Sequence, residues 1–168
     1  MKNALKILLF LTLTHSLFAQ EMLPFIIALP QGFMGAQPTA VGPMKTYIYT
    51  RPSAEEGVKT LFQINFIAMT PAEKESGLDK ILERVLHGIE VRRTGFKKSE
   101  FAKSSLASLE ALTVEWEGVG QGYPSKGKII CSKSGDQLIC IHYQDAASSW
   151  EKSKSDVEKA LKSFMLSQ

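Results

Sequence analysis

The sequence predicts an α+β domain, a mostly antiparallel central sheet flanked by helices on both faces as an α/β/α sandwich. Three observations predict it. Strand-like runs follow one another over short links, which implies antiparallel neighbours. Two amphipathic segments, one mid-chain and one at the end, each carry a single apolar stripe that has to be buried. Several strands are apolar on both sides, most plainly Leu138, Ile139, Cys140 and Ile141 in succession, and such strands need cover on both. At 168 residues the chain fits one domain, and 44% hydrophobic with 22% charged residues excludes a disordered chain.

In order, Phe25 to Leu29 is a short apolar strand closed by Pro30 and Gly32, and Pro30 to Pro43 carries loop chemistry. Tyr47 to Thr50 is extended. Lys59 to Met69 is the clearest strand, with Phe62, Ile64, Phe66 and Ala68 on an apolar face and Leu61, Gln63, Asn65 and Ile67 on a mixed one. A helix announced by Thr70-Pro71 has its body from about Glu75 to Arg92, where Leu78, Ile81, Leu82, Val85, Leu86 and Ile89 form one stripe, with Gly95 as its stop. Four strands follow, at Phe96 to Ser104, Leu109 to Val119, Lys128 to Ser132 and Gln137 to Tyr143. A closing helix starts at the capping box Ser148-x-x-Glu151, carries Trp150, Val157, Leu161 and Phe164, and ends the chain.

Residues 1–19 read as a cleavable signal peptide, leaving residues 20–168 as the domain. Lys2 and Lys6 precede an apolar stretch from Ile7 to Phe18 that ends in Ala19. Twelve helical residues reach about 18 Å, short of the roughly 30 Å hydrocarbon core, so stable membrane insertion is not expected after cleavage. Removing Lys2 and Lys6 lowers the net charge from +3 to +1, too little for nucleic acid to be the expected partner. The expected location is periplasmic or extracellular.

Export changes how the two cysteines read, because an oxidising compartment favours a disulfide. If Gly135 and Asp136 turn a two-residue hairpin, Ser134 faces Gln137 and Cys131 falls directly opposite Cys140. That pair is a non-hydrogen-bonded one, with Cα atoms about 4.5 Å apart, inside disulfide range. The predicted bond is structural. A redox role lacks the Cys-x-x-Cys spacing or cationic neighbours that lower a thiol pKa.

Phe25 to Leu29 followed by Pro30-Gln31-Gly32-Phe33 resembles the opening "apolar strand, Leu-Pro-x-Gly-aromatic" of the PsbP-like superfamily. The long strand, the mid-chain helix, the meander through Leu109-Glu110-Ala111 and the closing Leu161-Lys162-Ser163-Phe164 resemble it too, over nearly all of residues 24–166. The superfamily includes photosystem II extrinsic proteins, DcrB-like bacterial envelope proteins, a Ran-binding import factor and chaperones of secreted effectors. The resemblance implies an α/β/α sandwich used for binding rather than for catalysis, and the partner expected is another envelope or secreted protein. No cofactor and no metal are expected.

The residues give the same functional expectation. His87 and His142 are the histidines outside the leader, His87 off its helix stripe and His142 at the end of a strand. No His-x-x-x-His pair, Gly-x-Ser-x-Gly elbow, phosphate loop or four-ligand metal spacing occurs. The expected protein is therefore not an enzyme. Candidate contact residues are Gln121, Tyr123 and Pro124 in a glycine-rich loop from Gly118 to Gly127, Arg92 and Arg93 in the densest basic group, and Phe33 in the first long loop. Two alternatives stay open: a hydrolase or other small-molecule enzyme with a dispersed site, and a small-ligand carrier with a cavity between sheet and helix. A polar cleft joining His142 to Asp, Glu or Ser would favour the enzyme, an enclosed apolar pocket the carrier, and an exposed aromatic patch the binder.

Overall fold

The structure, a computed structural model, describes residues 23–35 and 38–167. The expected leader at residues 1–19 lies outside them. The strands are β1 (Phe25–Ile26), β2 (Met34–Gly35), β3 (Thr39–Val41), β4 (Met44–Pro52), β5 (Lys59–Ala68), β6 (Thr94–Lys98), β7 (Ala102–Leu106), β8 (Leu109–Gly120), β9 (Tyr123–Ser134), β10 (Gln137–Ala146) and β11 (Met165–Leu166). The helices are α1 (Pro71–Glu75), α2 (Leu78–Glu90) and α3 (Trp150–Leu161). The main sheet is antiparallel, ordered β2-β4-β5-β10-β9-β8-β6, with β3 also on β4 and β7 also on β8. β1 and β11 form a separate ribbon.

β10 sits mid-sheet, and its residues alternate between two apolar clusters. Leu138 and Cys140 belong with Ile81, Leu82 and Leu86 of α2 and with Val114, Trp116, Ile129 and Cys131. Ile139, Ile141 and Tyr143 belong with Trp150 and Val157 of α3, with Phe164, and with the apolar face of β5, Phe62, Ile64 and Phe66. Ile81, Leu82 and Leu86 of α2 and Trp150 and Val157 of α3 are thus almost wholly withdrawn from water, at roughly 1.5–3 kcal/mol each.

Several boundaries differ from the sequence reading. The mid-chain helix is two. Thr70 caps α1 in a reciprocal capping box with Glu73, the chain breaks at Ser76-Gly77, and α2 ends at Glu90 before Gly95, which instead takes φ +64° inside β6. Lys133 of β9 secures the break by donating from Nζ to the carbonyls of Glu73, Lys74 and Ser76, at 3.0, 2.9 and 2.6 Å.

The expected strand from Phe96 to Ser104 is β6 and β7, which meet successive parts of β8. The closing helix does not use Ser148-x-x-Glu151: Ser149 precedes α3 with no side-chain cap, and Ser148 donates to Glu55 Oε2 at 2.7 Å instead. Asp145 anchors α3 through the Ser153 side chain rather than as a cap. Its buried carboxylate accepts from Ser53 (2.5 Å), Thr60 (2.8 Å), Ser153 and the Ala146 backbone N–H (2.7 Å), tying the β4–β5 connection, β5, β10 and α3 together. The chain also continues past α3 into β11, which pairs Leu166 with Phe25.

Candidate functional site

The β10 hairpin has the register that the two-residue turn implies. Ser134 pairs with Gln137, Cys131 with Cys140, and a disulfide joins the cysteines with Cα atoms 4.2 Å apart. Both cysteines are buried beneath α2, which suits a structural bond.

Beside the disulfide, on the same side of the sheet, the rows of cross-strand neighbours turn polar. One row reads Leu112, Cys131, Cys140, Asn65 and Thr46; the next reads Val114, Ile129, His142 and Gln63; the third reads Trp116, Gly127, Gln144 and Leu61. α2 contacts β8 and β9, and the polar side of β5 borders a cavity of about 520 Å³ instead. Gln63, Asn65, His142 and Gln144 form its floor, the end of α2 one wall, and Arg92, Arg93, Gln121 and Tyr123 its rim.

The glycines between 118 and 127 shape this rim, and they do so by clearance rather than by mobility. The expected loop is a tight hairpin: β8 and β9 are joined by Gln121 and Gly122, at φ +55° and +88°, both positive as a primed turn requires. A Cβ on Gly127 would fall 2.3 Å from the Trp116 indole, which lies across that position. Cβ atoms on Gly118 and Gly120 would fall 3.2 and 3.3 Å from the stem of Arg93. Arg93 can therefore lie flat, its guanidinium 4.1 Å from the Trp116 ring centre. From there its terminal nitrogens donate to Ile89 O at 3.1 Å and Gln144 Oε1 at 2.7 Å.

The floor is held from beneath. Asn65 Oδ1 accepts from Thr46 at 2.9 Å and from Gln63 Nε2 at 2.8 Å, which fixes both amides. His142, expected at a strand end, lies within β10, its ring 5.7 Å from that of Trp116. Part of the ring borders the cavity, but Nε2 is closed to water and has no hydrogen-bond partner. Burial, with Arg93 nearby, pushes its pKa down to about 3. No aspartate or glutamate lines the cavity, and no group of three or more His, Cys, Asp or Glu among the described residues could hold a metal ion.

No family model matches the chain, and no curated protein matches it in sequence. Solved structures do match in shape. A protein of unknown function from Pseudomonas aeruginosa, PA94, described as a putative regulator, aligns at TM-score 0.61 and 11% identity over 82% of this chain and 98% of its own. LpqN of Mycobacterium tuberculosis, described as involved in cell envelope biogenesis, aligns at 0.59 and 9% identity, covering 86% and 83%. Cyanobacterial PsbP (CyanoP) from Synechocystis sp. PCC 6803 aligns at 0.57 and 14% identity, covering 86% and 87%. The chain has the PsbP-like fold.

Within this PsbP-like domain, four of the six contact residues named from sequence, Arg92, Arg93, Gln121 and Tyr123, line the one cavity. Pro124 follows Tyr123 in β9, exposed and opposite Val119. Phe33 is elsewhere: it packs with the α3 cluster, 6.3 Å from Phe62, under the Arg51 guanidinium. His87 is exposed beside Glu90. The sequence reading missed Gln63, Asn65 and Gln144. The signal for Gln63 and Asn65 was their place on the mixed face of a strand whose other face is wholly apolar, while Gln144 lies one residue beyond the strand read from Gln137 to Tyr143.

Proposed function

We propose that this PsbP-like chain is an exported, non-enzymatic binding domain of the cell envelope, and that it engages another envelope or secreted protein through the cavity rim. The observation that carries the reading is the gathering of Arg92, Arg93, Gln121 and Tyr123, from two separate segments, around one opening. Export is supported by the expected leader and by the disulfide, and the involvement of LpqN in cell envelope biogenesis fits that setting. The α/β/α arrangement is supported by the alternation along β10, with α2 residues in one apolar cluster and α3 residues in the other.

Against catalysis, a histidine held at about 3 is a weak general base at neutral pH, and no carboxylate stands within the cavity to act with it. The small-ligand carrier is the second reading, favoured by the cavity's volume, which falls in the range of small-molecule sites.

Affinity capture from the native envelope fraction tests the proposal, with wild type beside a double variant, Arg92→Glu with Tyr123→Ala. Enrichment of one protein by wild type and its loss in the variant is the expected result. Repeated capture of nothing, together with turnover in a substrate screen that His142→Ala abolishes, would overturn it.

A further inference from the structure

The cavity is electrostatically one-sided. Its charged groups are Arg92 and Arg93, its remaining polar side chains are neutral at pH 7, and no carboxylate lies within ion-pair distance of either arginine among the described residues. The groups that bear on Arg93 electrostatically are Tyr123 and Arg92, neither of them an anion at neutral pH. A half-buried guanidinium normally finds an acid, because removing it from water costs free energy that an opposite charge offsets. Here it finds an indole, a backbone carbonyl and an amide oxygen.

The side chain is also fixed in place. The Trp116 ring below it, the clearance left by Gly118 and Gly120, and the hydrogen bonds to Ile89 and Gln144 hold its plane. Guanidinium carries five N–H groups, and the two bonds leave each terminal nitrogen one further donor. Gln63 and Gln144 are each committed on one side only, Gln63 through Nε2 and Gln144 through Oε1. Their remaining amide atoms, Gln63 Oε1 and Gln144 Nε2, can serve a neutral polar group of a ligand.

We propose that this cavity is a carboxylate-binding site, with Arg93 as the charged partner and the amides of Gln63 and Gln144 as its neutral polar wall. A monoanion suits it better than a phosphate dianion, because a single arginine is held within it while Arg92 is exposed at its edge. The carboxylate can belong to a free organic acid or to the C-terminus of a partner chain. The inference rests on the cavity being the domain's binding face, and it adds what that face recognises.

The test is NMR titration of the full exported protein, following the Trp116 indole N–H and the Gln63 and Gln144 side-chain amides. The probes are acetate, hippurate, the uncharged hippuramide, inorganic phosphate, and a set of pentapeptides with free or amidated C-termini. Saturable shifts with hippurate or with free-terminus peptides, absent with hippuramide and amidated peptides, are expected. Arg93→Gln should weaken that binding about tenfold or more, while Lys159→Gln on α3 should leave it unchanged. Peptides binding far better than the free acids would assign the site to a chain terminus, and the reverse to a small acid.

No saturable shift from any carboxylate below about 1 mM overturns the inference, as does equal binding of hippuramide or tighter binding of phosphate. If Arg93→Gln does not fold, the paired charged and uncharged probes on wild type still decide. A captured partner whose binding survives Arg93→Gln would leave the binding-face reading standing and sink this inference alone.

Discussion

Gly127 and Trp116 face each other across β9 and β8, and the indole occupies the space that a Cβ on residue 127 would take, 2.3 Å from Cζ2. Trp116 in turn carries Arg93 at 4.1 Å and neighbours His142 at 5.7 Å between ring centres. The missing Cβ at residue 127 therefore leaves room for the ring on which Arg93 lies.

Gly127→Ala should displace the indole and destabilise the domain by about 1–3 kcal/mol, the usual cost of forcing an extra carbon into a packed site. Urea unfolding measures the loss. Loss of the Arg93–Gln144 hydrogen bond should accompany it, visible as a shift of the Gln144 side-chain amide. An unchanged midpoint would mean that the ring has room to move.

Only part of this was legible in the sequence. The Cys131–Cys140 pairing was, because a two-residue turn leaves one register and the residues count outward from it. The α2 stripe was, because Ile81, Leu82 and Leu86 repeat at helical spacing. Glycines 118, 120 and 127 were read as parts of one loop, since glycine in a strand and glycine in a loop look alike locally. For Gly118 and Gly120 the distinguishing signal was their period of two in line with Trp116, which marks a close approach on one face. Asp145 was missed as a tether because Ser53 and Thr60, two of the hydroxyls that satisfy it, lie 92 and 85 residues away in the chain.

The disulfide closes a ten-residue loop, worth about 2.5–3 kcal/mol in the chain-entropy model. Replacing both cysteines by alanine should cost about that much, with some addition for lost packing, since both are buried. Non-reduced exported protein should weigh two protons less than its dithiol form by mass spectrometry. A dithiol mass would remove the bond from the account.

Asp145→Asn turns one of two accepting oxygens into a donor, facing hydroxyls that now donate to it. The expected cost is about 3 kcal/mol, because the new N–H group and at least one hydroxyl become unsatisfied in a buried site. Proteolysis should then cut first around Ser53, where the β4–β5 connection loses its tether to β10.

His142 makes stability depend on pH with a definite sign. Burial lowers its folded pKa to about 3, below the ordinary 6.5, so the unfolded chain binds its proton more readily. Its contribution is present above pH 6.5 and is lost as pH falls from there towards 3, at up to about 1.4 kcal/mol per unit. His142→Gln should flatten that part of the stability curve relative to wild type. The wild-type imidazole should show no titration near neutrality by NMR.

The central claim, that the opening ringed by Arg92, Arg93, Gln121 and Tyr123 is where the protein meets its partner, is tested most directly by site-specific photo-crosslinking in the native envelope. A photoreactive residue at Gln121, beside the opening, is compared with one at Met34, an exposed position on the edge strand β2. The account predicts a discrete crosslinked adduct from position 121 and none from position 34. An adduct from position 34 alone would place recognition elsewhere and contradict it.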